Sequence, residues 1–134
     1  MSISYILDTN CLIWFQENNP KIPRRVMEAI QNPKNTIFFS QISLFEIAIK
    51  QNIGKLPLFK SDTDEIYHQA IKDDFTFLSV QNKHILSYQK TPLLSEHRDP
   101  FDRLLIATAH TENAIVLTAD KNFKLYPNFI EVLW

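Results

Sequence analysis

The sequence predicts an α/β domain with a mainly parallel sheet, and three observations carry that prediction. Short segments rich in β-formers alternate with segments of helical pattern along the chain. Two strand segments, Ser4-Tyr5-Ile6-Leu7 and Ile115-Val116-Leu117-Thr118, are largely apolar on both faces, the pattern of interior strands in a parallel sheet covered by helices. The length, 134 residues with 45% apolar content, suits a single domain over residues 1–134 that buries a core without disulfide or metal staples.

Residues 3–7 read as the first strand. Residues 10–16 read as a helix that is apolar all round, with Cys11, Leu12, Ile13, Trp14 and Phe15 in succession, so more than one of its faces must be buried. Pro23 opens a second helix to about Gln31, in the first turn, where its missing N–H is no loss. Asn32-Pro33-Lys34-Asn35 is a turn, and residues 36–39 are a second strand. Ser40 caps a helix over residues 41–52, which Gly54 ends. After a looser stretch with Pro57, Ser61 or Asp62 caps a helix over residues 64–72. Residues 75–78 are a short strand, residues 82–89 a short helix and residues 91–98 a loop. Asp99-Pro100 opens a helix to Glu112, residues 114–118 form a strand, residues 121–125 a helical turn, and residues 129–133 the last strand.

Composition removes several classes of function. A formal net charge of −1 argues against holding nucleic acid by bulk charge, so any such contact needs local basic patches. With one glycine, Gly54, the chain can build neither a phosphate-cradling loop nor a dinucleotide fingerprint, which need several. Its one cysteine, Cys11, lies in an apolar run and reads as core packing in a reducing compartment. No apolar run approaches the roughly 20 residues that cross a membrane. The start, Met1-Ser2-Ile3-Ser4-Tyr5, has neither the basic region nor the long apolar stretch of a signal peptide, so a cytoplasmic protein is expected.

In parallel α/β sheets the ligand site lies beyond the carboxyl ends of the strands, and four acids are delivered there by four separate elements. Asp8 directly follows the first strand, and Asp120 follows Thr118 by two residues. Glu46 shares a polar stripe with Ser43 and Lys50 on an otherwise apolar helix that starts at the end of the second strand. Asp102 sits in the first turn of the helix opened by Asp99-Pro100. Each has a plainer reading: Asp8 and Asp99 as N-caps, Glu46 as an i,i+4 partner of Lys50, Asp102 as a capping-box acid, Asp120 as a turn initiator. Four carboxylates on one rim repel, at about 4 kcal/mol per pair at 4 Å and an effective dielectric near 20, so the set persists only if protons or a cation neutralise it. An all-oxygen site suits Mg²⁺ or Mn²⁺, and the chemistry expected of it is phosphodiester hydrolysis by metal-activated water, with one or two ions.

Four segments stand in order: Tyr5-Ile6-Leu7-Asp8-Thr9-Asn10; Ser43-Leu44-Phe45-Glu46-Ile47-Ala48-Ile49-Lys50 with Gly54-Lys55-Leu56; His97-Arg98-Asp99-Pro100-Phe101-Asp102-Arg103-Leu104-Leu105-Ile106-Ala107-Thr108-Ala109; and Leu117-Thr118-Ala119-Asp120 with Phe123. Together they resemble the motifs of the PIN-domain family, most closely its VapC-type toxins of toxin–antitoxin pairs, over essentially the whole chain. The resemblance implies a three-layer α/β/α fold with a five-stranded parallel sheet and a Mg²⁺- or Mn²⁺-dependent endoribonuclease. It carries Asp8, Glu46, Asp102 and Asp120 over as metal-binding acids, Thr9 and Thr118 as hydroxyls supporting them, Asn10 as a supporting polar group and Asp99 as an outer acid. Asn122 departs from it, because many relatives carry a further acid there. The resemblance also implies a homodimer and a small antitoxin whose C-terminal segment lies in a groove, which Trp14 and Phe15 could line. Arg103, Lys50 and Arg98, with Lys55, are the basic residues that could meet RNA phosphates or an antitoxin carboxylate.

Two other readings fit the same residues. A non-catalytic module of this fold would bind RNA or protein without turnover, but has no need to keep four mutually repelling acids. A metal-dependent phosphatase or phospho-receiver would use Asp8 as phosphoacceptor, but Asp8-Thr9-Asn10 lacks the second acid such sites want beside the nucleophile.

Overall fold

The computed structural model describes residues 2–134. Its first strand, β1 (Ser4–Leu7), lies in the middle of the sheet and leads into α1 (Thr9–Gln16). The chain continues through α2 (Arg24–Gln31), β2 (Thr36–Ser40), α3 (Gln41–Asn52), α4 (Thr63–Lys72), β3 (Thr76–Leu78), α5 (Asn82–Lys90), α6 (Pro100–Glu112) and β4 (Ile115–Leu117). A 3₁₀ turn (Lys121–Leu125) and β5 (Val132–Leu133) complete it. The five strands are ordered β3-β2-β1-β4-β5, and every pairing is parallel. The expected mainly parallel, five-stranded α/β architecture is therefore the observed one.

Alternation along the strands sorts the core into two layers of side chains. Tyr5 and Leu7 of β1, Ile37 and Phe39 of β2 and Leu117 of β4 point to one face, where Leu12, Val26, Ile47 and Ile66 of four helices cover them. Ile6 and Val116 point to the other, against Leu105, Ile106 and Ala109 of α6. Each fully buried side chain such as Phe39, Leu12 or Ile106 stabilises the fold by roughly 1.5–3 kcal/mol. The helix α3 crosses from layer to layer, giving Ile42 to the second and Ile47 to the first.

The apolar-all-round α1 is buried as its composition requires, with Cys11, Leu12 and Ile13 inaccessible. Trp14 packs on Trp134 with ring centroids 5.7 Å apart, and Phe15 on Phe75 at 5.0 Å. Both rings pack within the chain and remain half-buried. The last strand is shorter than its apolar pattern suggests. Phe129 and Ile130 donate their N–H groups to Tyr126 O at 3.0 and 3.1 Å, which closes a turn and leaves only Val132 and Leu133 to pair with β4. Among the described residues no helix is long and apolar enough to cross a membrane.

Candidate active site

The strand order reverses direction at β1: the chain leaves toward β2 on one side and returns as β4 on the other. The crevice beyond the carboxyl ends of β1 and β4 is the switch point where α/β sheets bind ligands. Asp8 sits there. Its N–H donates to Leu117 O at 3.1 Å, fastening it to the end of β4. Its Oδ1 accepts from the Cys11 N–H at 2.7 Å, capping α1, and its Oδ2 accepts from the Thr118 hydroxyl. Thr118 Oγ1 in turn accepts the Asp120 N–H at 3.0 Å, so one hydroxyl ties Asp8 to the Asp120 backbone. Asp120 Oδ1 accepts from Asn122 N–H at 2.9 Å, which starts the 3₁₀ turn.

The second strand delivers Glu46. Ser40 ends β2 and caps α3, its Oγ accepting from Ile42 N–H at 3.0 Å. Glu46 lies within α3 and is buried. Its Oε1 accepts from Thr9 Oγ1 at 2.6 Å, and Thr9 Oγ1 also lies 3.0 Å from Ser43 Oγ. Its Oε2 meets Lys50 Nζ at 2.9 Å. Glu46 is therefore held by a hydroxyl seam between α1 and α3, while the Asp8 carboxylate is held by the α1 backbone and by Thr118 beyond β4.

Asp99 caps α6, accepting from Phe101 and Asp102 N–H at 2.9 and 3.1 Å, with Pro100 in the first turn. Asp102 does not reach back as a capping-box acid. Its Oδ2 lies 3.1 Å from His97 Nε2, and His97 Nδ1 lies 2.8 Å from the Tyr126 hydroxyl. Neither His97 nor Tyr126 was singled out by sequence reasoning. His97 stands in the His-Arg-Asp-Pro-Phe-Asp run, but its partner comes from beyond β4.

The electrostatics match the predicted conflict among acids. The Asp8 carboxyl is pushed up to about 6, chiefly because burial strips its water; the Thr118 and Cys11 hydrogen bonds oppose this, and the charges of Asp102 and Asp120 add to it. The Asp102 carboxyl also rises to about 6, chiefly by burial, against the His97 hydrogen bond and with the charges of Asp99, Asp120 and Glu46 adding. Asp102 thus lies within reach of the charges of Asp120 and Glu46, and Asp8 within reach of those of Asp102 and Asp120. The donor set is all carboxylate and hydroxyl oxygen, which fits Mg²⁺ or Mn²⁺ and not a soft metal. Among the described residues, no three acidic, histidine or cysteine side chains form a ready-made metal-holding group. The acids point instead to internal donors, and Lys50 supplies one positive charge to Glu46. The residues fit a divalent ion in charge and chemistry, with side-chain rotation needed to bring their oxygens onto it.

The remaining predicted residues are placed as follows. Asn10 and Arg98 are exposed, as are Lys55 and Asn122. Lys50 is half-buried on Glu46. Arg103, expected to meet RNA, needs correction: it is buried, its Nη1 donating to Pro92 O at 2.8 Å and to the Tyr126 hydroxyl at 3.2 Å, and its Nη2 to Thr91 O at 3.4 Å. Its guanidinium lies 5.2 Å over the Tyr88 ring. The loop before α6 folds back over the first turn of that helix and uses Arg103 as its anchor.

The family model of the PIN domain matches residues 5–128. Among solved structures, VapBC2 from Rickettsia felis, bound to a DNA fragment from its promoter, matches with a TM-score of 0.66 and 20% identity, over 98% of this chain and 98% of that one. VapBC-1 from nontypeable Haemophilus influenzae matches with 0.64 and 20%, over 98% and 97%. FitAcB from Neisseria gonorrhoeae matches with 0.61 and 17%, over 100% and 97%. At these identities the likeness is one of fold. No curated protein sequence matches.

Proposed function

The chain belongs to the PIN domain family, and on that premise we propose that it is a Mg²⁺- or Mn²⁺-dependent endoribonuclease, the VapC-type toxin of a toxin–antitoxin pair. One observation carries the reading. Asp8 and Asp102, from distant parts of the sequence, are both pushed up to about 6, with the charges of Asp102 and Asp120 acting on Asp8 and those of Asp120 and Glu46 on Asp102, near the switch point of a parallel sheet. A structural role gives no reason to gather four acids there. A cation does, because ionised carboxylates then gain a partner instead of losing water.

In this reading Asp8, Glu46, Asp102 and Asp120 hold the ion. A bound divalent ion supplies a lowered pKa to coordinated water and offsets charge on the phosphoryl oxygens. Thr118 donates to Oδ2 of Asp8 and Thr9 to Oε1 of Glu46, the hydroxyls that would hold these acids until an ion takes up their charge. Lys50, paired with Glu46 at 2.9 Å, would be the positive charge nearest that acid and the one placed to meet an RNA phosphate. Exposed Arg98, one residue before the Asp99 cap, and exposed Asn10, in the first turn of α1, are the further residues that would meet RNA in this reading. With a net charge of −1, such local contacts are what bring RNA to the site. A cognate antitoxin, a homodimeric state and a cytoplasmic location complete the proposal, with residues 1–134 acting as one domain. The VapBC structures of like fold support the antitoxin partner.

The test is RNA cleavage by protein free of contaminating nuclease. The unsubstituted protein is expected to cut in Mg²⁺ or Mn²⁺ and to stop in EDTA. Asp8→Ala and Asp102→Ala are expected to lose at least about 100-fold in rate with the fold retained by circular dichroism, the scale of removing a group that stabilises transition-state charge. Undiminished cleavage in EDTA would overturn the metal mechanism. Stable RNA binding in Mg²⁺ without fragments would point instead to a binding module.

A further inference from the structure

We infer that His97 is the positioning residue for Asp102, the last link of a one-way hydrogen-bond relay running Arg103 to Tyr126 to His97 to Asp102. The inference rests on the nuclease reading of the acid cluster and adds to it the group that sets one ligand's orientation.

Donor accounting fixes the direction. Arg103 Nη1 is always a donor, so the Tyr126 oxygen accepts from it at 3.2 Å. The Tyr126 O–H is then free to donate, and its neighbour at 2.8 Å is His97 Nδ1, which must accept. That leaves the imidazole proton on Nε2, 3.1 Å from Asp102 Oδ2, which accepts it. Each link of the relay then pairs one donor with one acceptor. The relay is also anchored, because the same guanidinium holds the carbonyls of Thr91 and Pro92.

Both imidazole nitrogens are occupied and the ring is 3% exposed, so His97 cannot exchange protons with a substrate. Its effect runs through Asp102. The other three acids each take a backbone or hydroxyl donor: Asp8 from Cys11 and Thr118, Glu46 from Thr9, Asp120 from Asn122. For Asp102, the one side-chain hydrogen bond among the described residues is that from His97. With Oδ2 engaged by His97, Oδ1 is the oxygen left for an ion. Outer-shell partners of this kind change metal affinity by about 10–100-fold when removed.

Two isosteric substitutions separate positioning from simple packing. The amide of His97→Gln can place its N–H₂ where Nε2 stood and still donate to Asp102. That of His97→Asn reaches only to the Nδ1 position, serving Tyr126 and abandoning Asp102. Mn²⁺ affinity is read by calorimetry, alongside RNA cleavage and the imidazole tautomer by ¹⁵N NMR on metal-free, unsubstituted protein. The expected result is the Nε2–H tautomer, Mn²⁺ binding weakened about 10–100-fold in His97→Asn, and most of it kept in His97→Gln. Equal affinity in both variants and the unsubstituted protein, or better retention in His97→Asn, overturns the positioning role and leaves the nuclease standing. A protonated or Nδ1–H ring in the metal-free protein overturns the relay even if neither variant folds. An unsubstituted protein that neither binds Mn²⁺ nor cleaves RNA overturns the nuclease reading and this role with it.

Discussion

The carboxylate of Asp8 caps α1 with one oxygen and takes the Thr118 hydroxyl with the other. Those hydrogen bonds favour the charged form, yet burial and the neighbouring acids outweigh them and raise the group from 3.8 to about 6. A carboxyl raised on folding adds stability that is complete below its unfolded value and lost as pH climbs through its folded value, here between about 4 and 6. A shift of about two pH units corresponds to roughly 3 kcal/mol. In EDTA at pH 8, Asp8→Asn, uncharged and still able to cap with its amide oxygen, is expected to be more stable than the unsubstituted protein by about 1–3 kcal/mol, and to lose that advantage at pH 4. Urea denaturation at the two pH values measures it; equal destabilisation at both would show that the lost Thr118 contact, not the charge, governs. The sequence could be read for Asp8 as a helix cap, which one oxygen is, while the other oxygen takes the Thr118 hydroxyl 110 residues away. It could not be read for Arg103, whose burial depends on a loop folding back, or for His97, whose partner Tyr126 lies 29 residues away.

At the scale of elements, helix ends show how a chain with one glycine stops its helices. Four termini use a left-handed residue: Gly54 after α3, and Asn18, Asp74 and Asn113 after α1, α4 and α6. After α3 the Lys55 N–H reaches Lys50 O at 2.8 Å and Gly54 N–H reaches Gln51 O at 3.1 Å; after α4 Phe75 reaches Ala70 O and Asp74 reaches Ile71 O, both at 3.0 Å. Both are the paired closure that satisfies the last carbonyls of a helix. Only glycine adopts that backbone without steric cost. Asp74→Gly is therefore expected to stabilise the protein by about 0.5–1 kcal/mol, and Gly54→Ala to destabilise it by about 1 kcal/mol although a methyl there meets nothing within 4 Å. Opposite shifts in urea midpoint test the pair, and a stabilising Gly54→Ala would refute the backbone account. Most element bounds were legible because apolar period, proline and capping residues agree locally. Residues 129–133 failed that test: Phe129 and Ile130 are apolar enough for a strand but are drawn into the turn on Tyr126.

At the scale of the whole molecule, the acids come from the end of β1, the middle of α3, the start of α6 and the turn after β4, so the cluster exists only once the sheet has closed. The strand order that closes it was not legible from periodicity, which says that a strand is buried but not which neighbour buries it; only the motif resemblance carried the five-stranded arrangement. Because an unfolded chain cannot gather these acids, an ion that binds the site binds the native state alone, and its binding energy becomes folding energy. At an ion concentration 100 times its dissociation constant the gain is about 2.7 kcal/mol, a rise in melting temperature on the order of 10 °C for a chain of this size. The gain also depends on pH. On the proposed ligand set, Asp8 and Asp102 must lose their protons before they hold the ion, and both are pushed up to about 6, so the ion competes with protons at pH 5.5 and not at pH 8. Melting the full chain with Mn²⁺ and with EDTA at these two pH values should therefore give a large upward shift at pH 8, a much smaller one at pH 5.5, and little at either for Asp102→Asn. A shift of equal size at both pH values, or one that survives Asp102→Asn, would mean that the ion stabilises the fold from some other place than the carboxyl ends of β1 and β4.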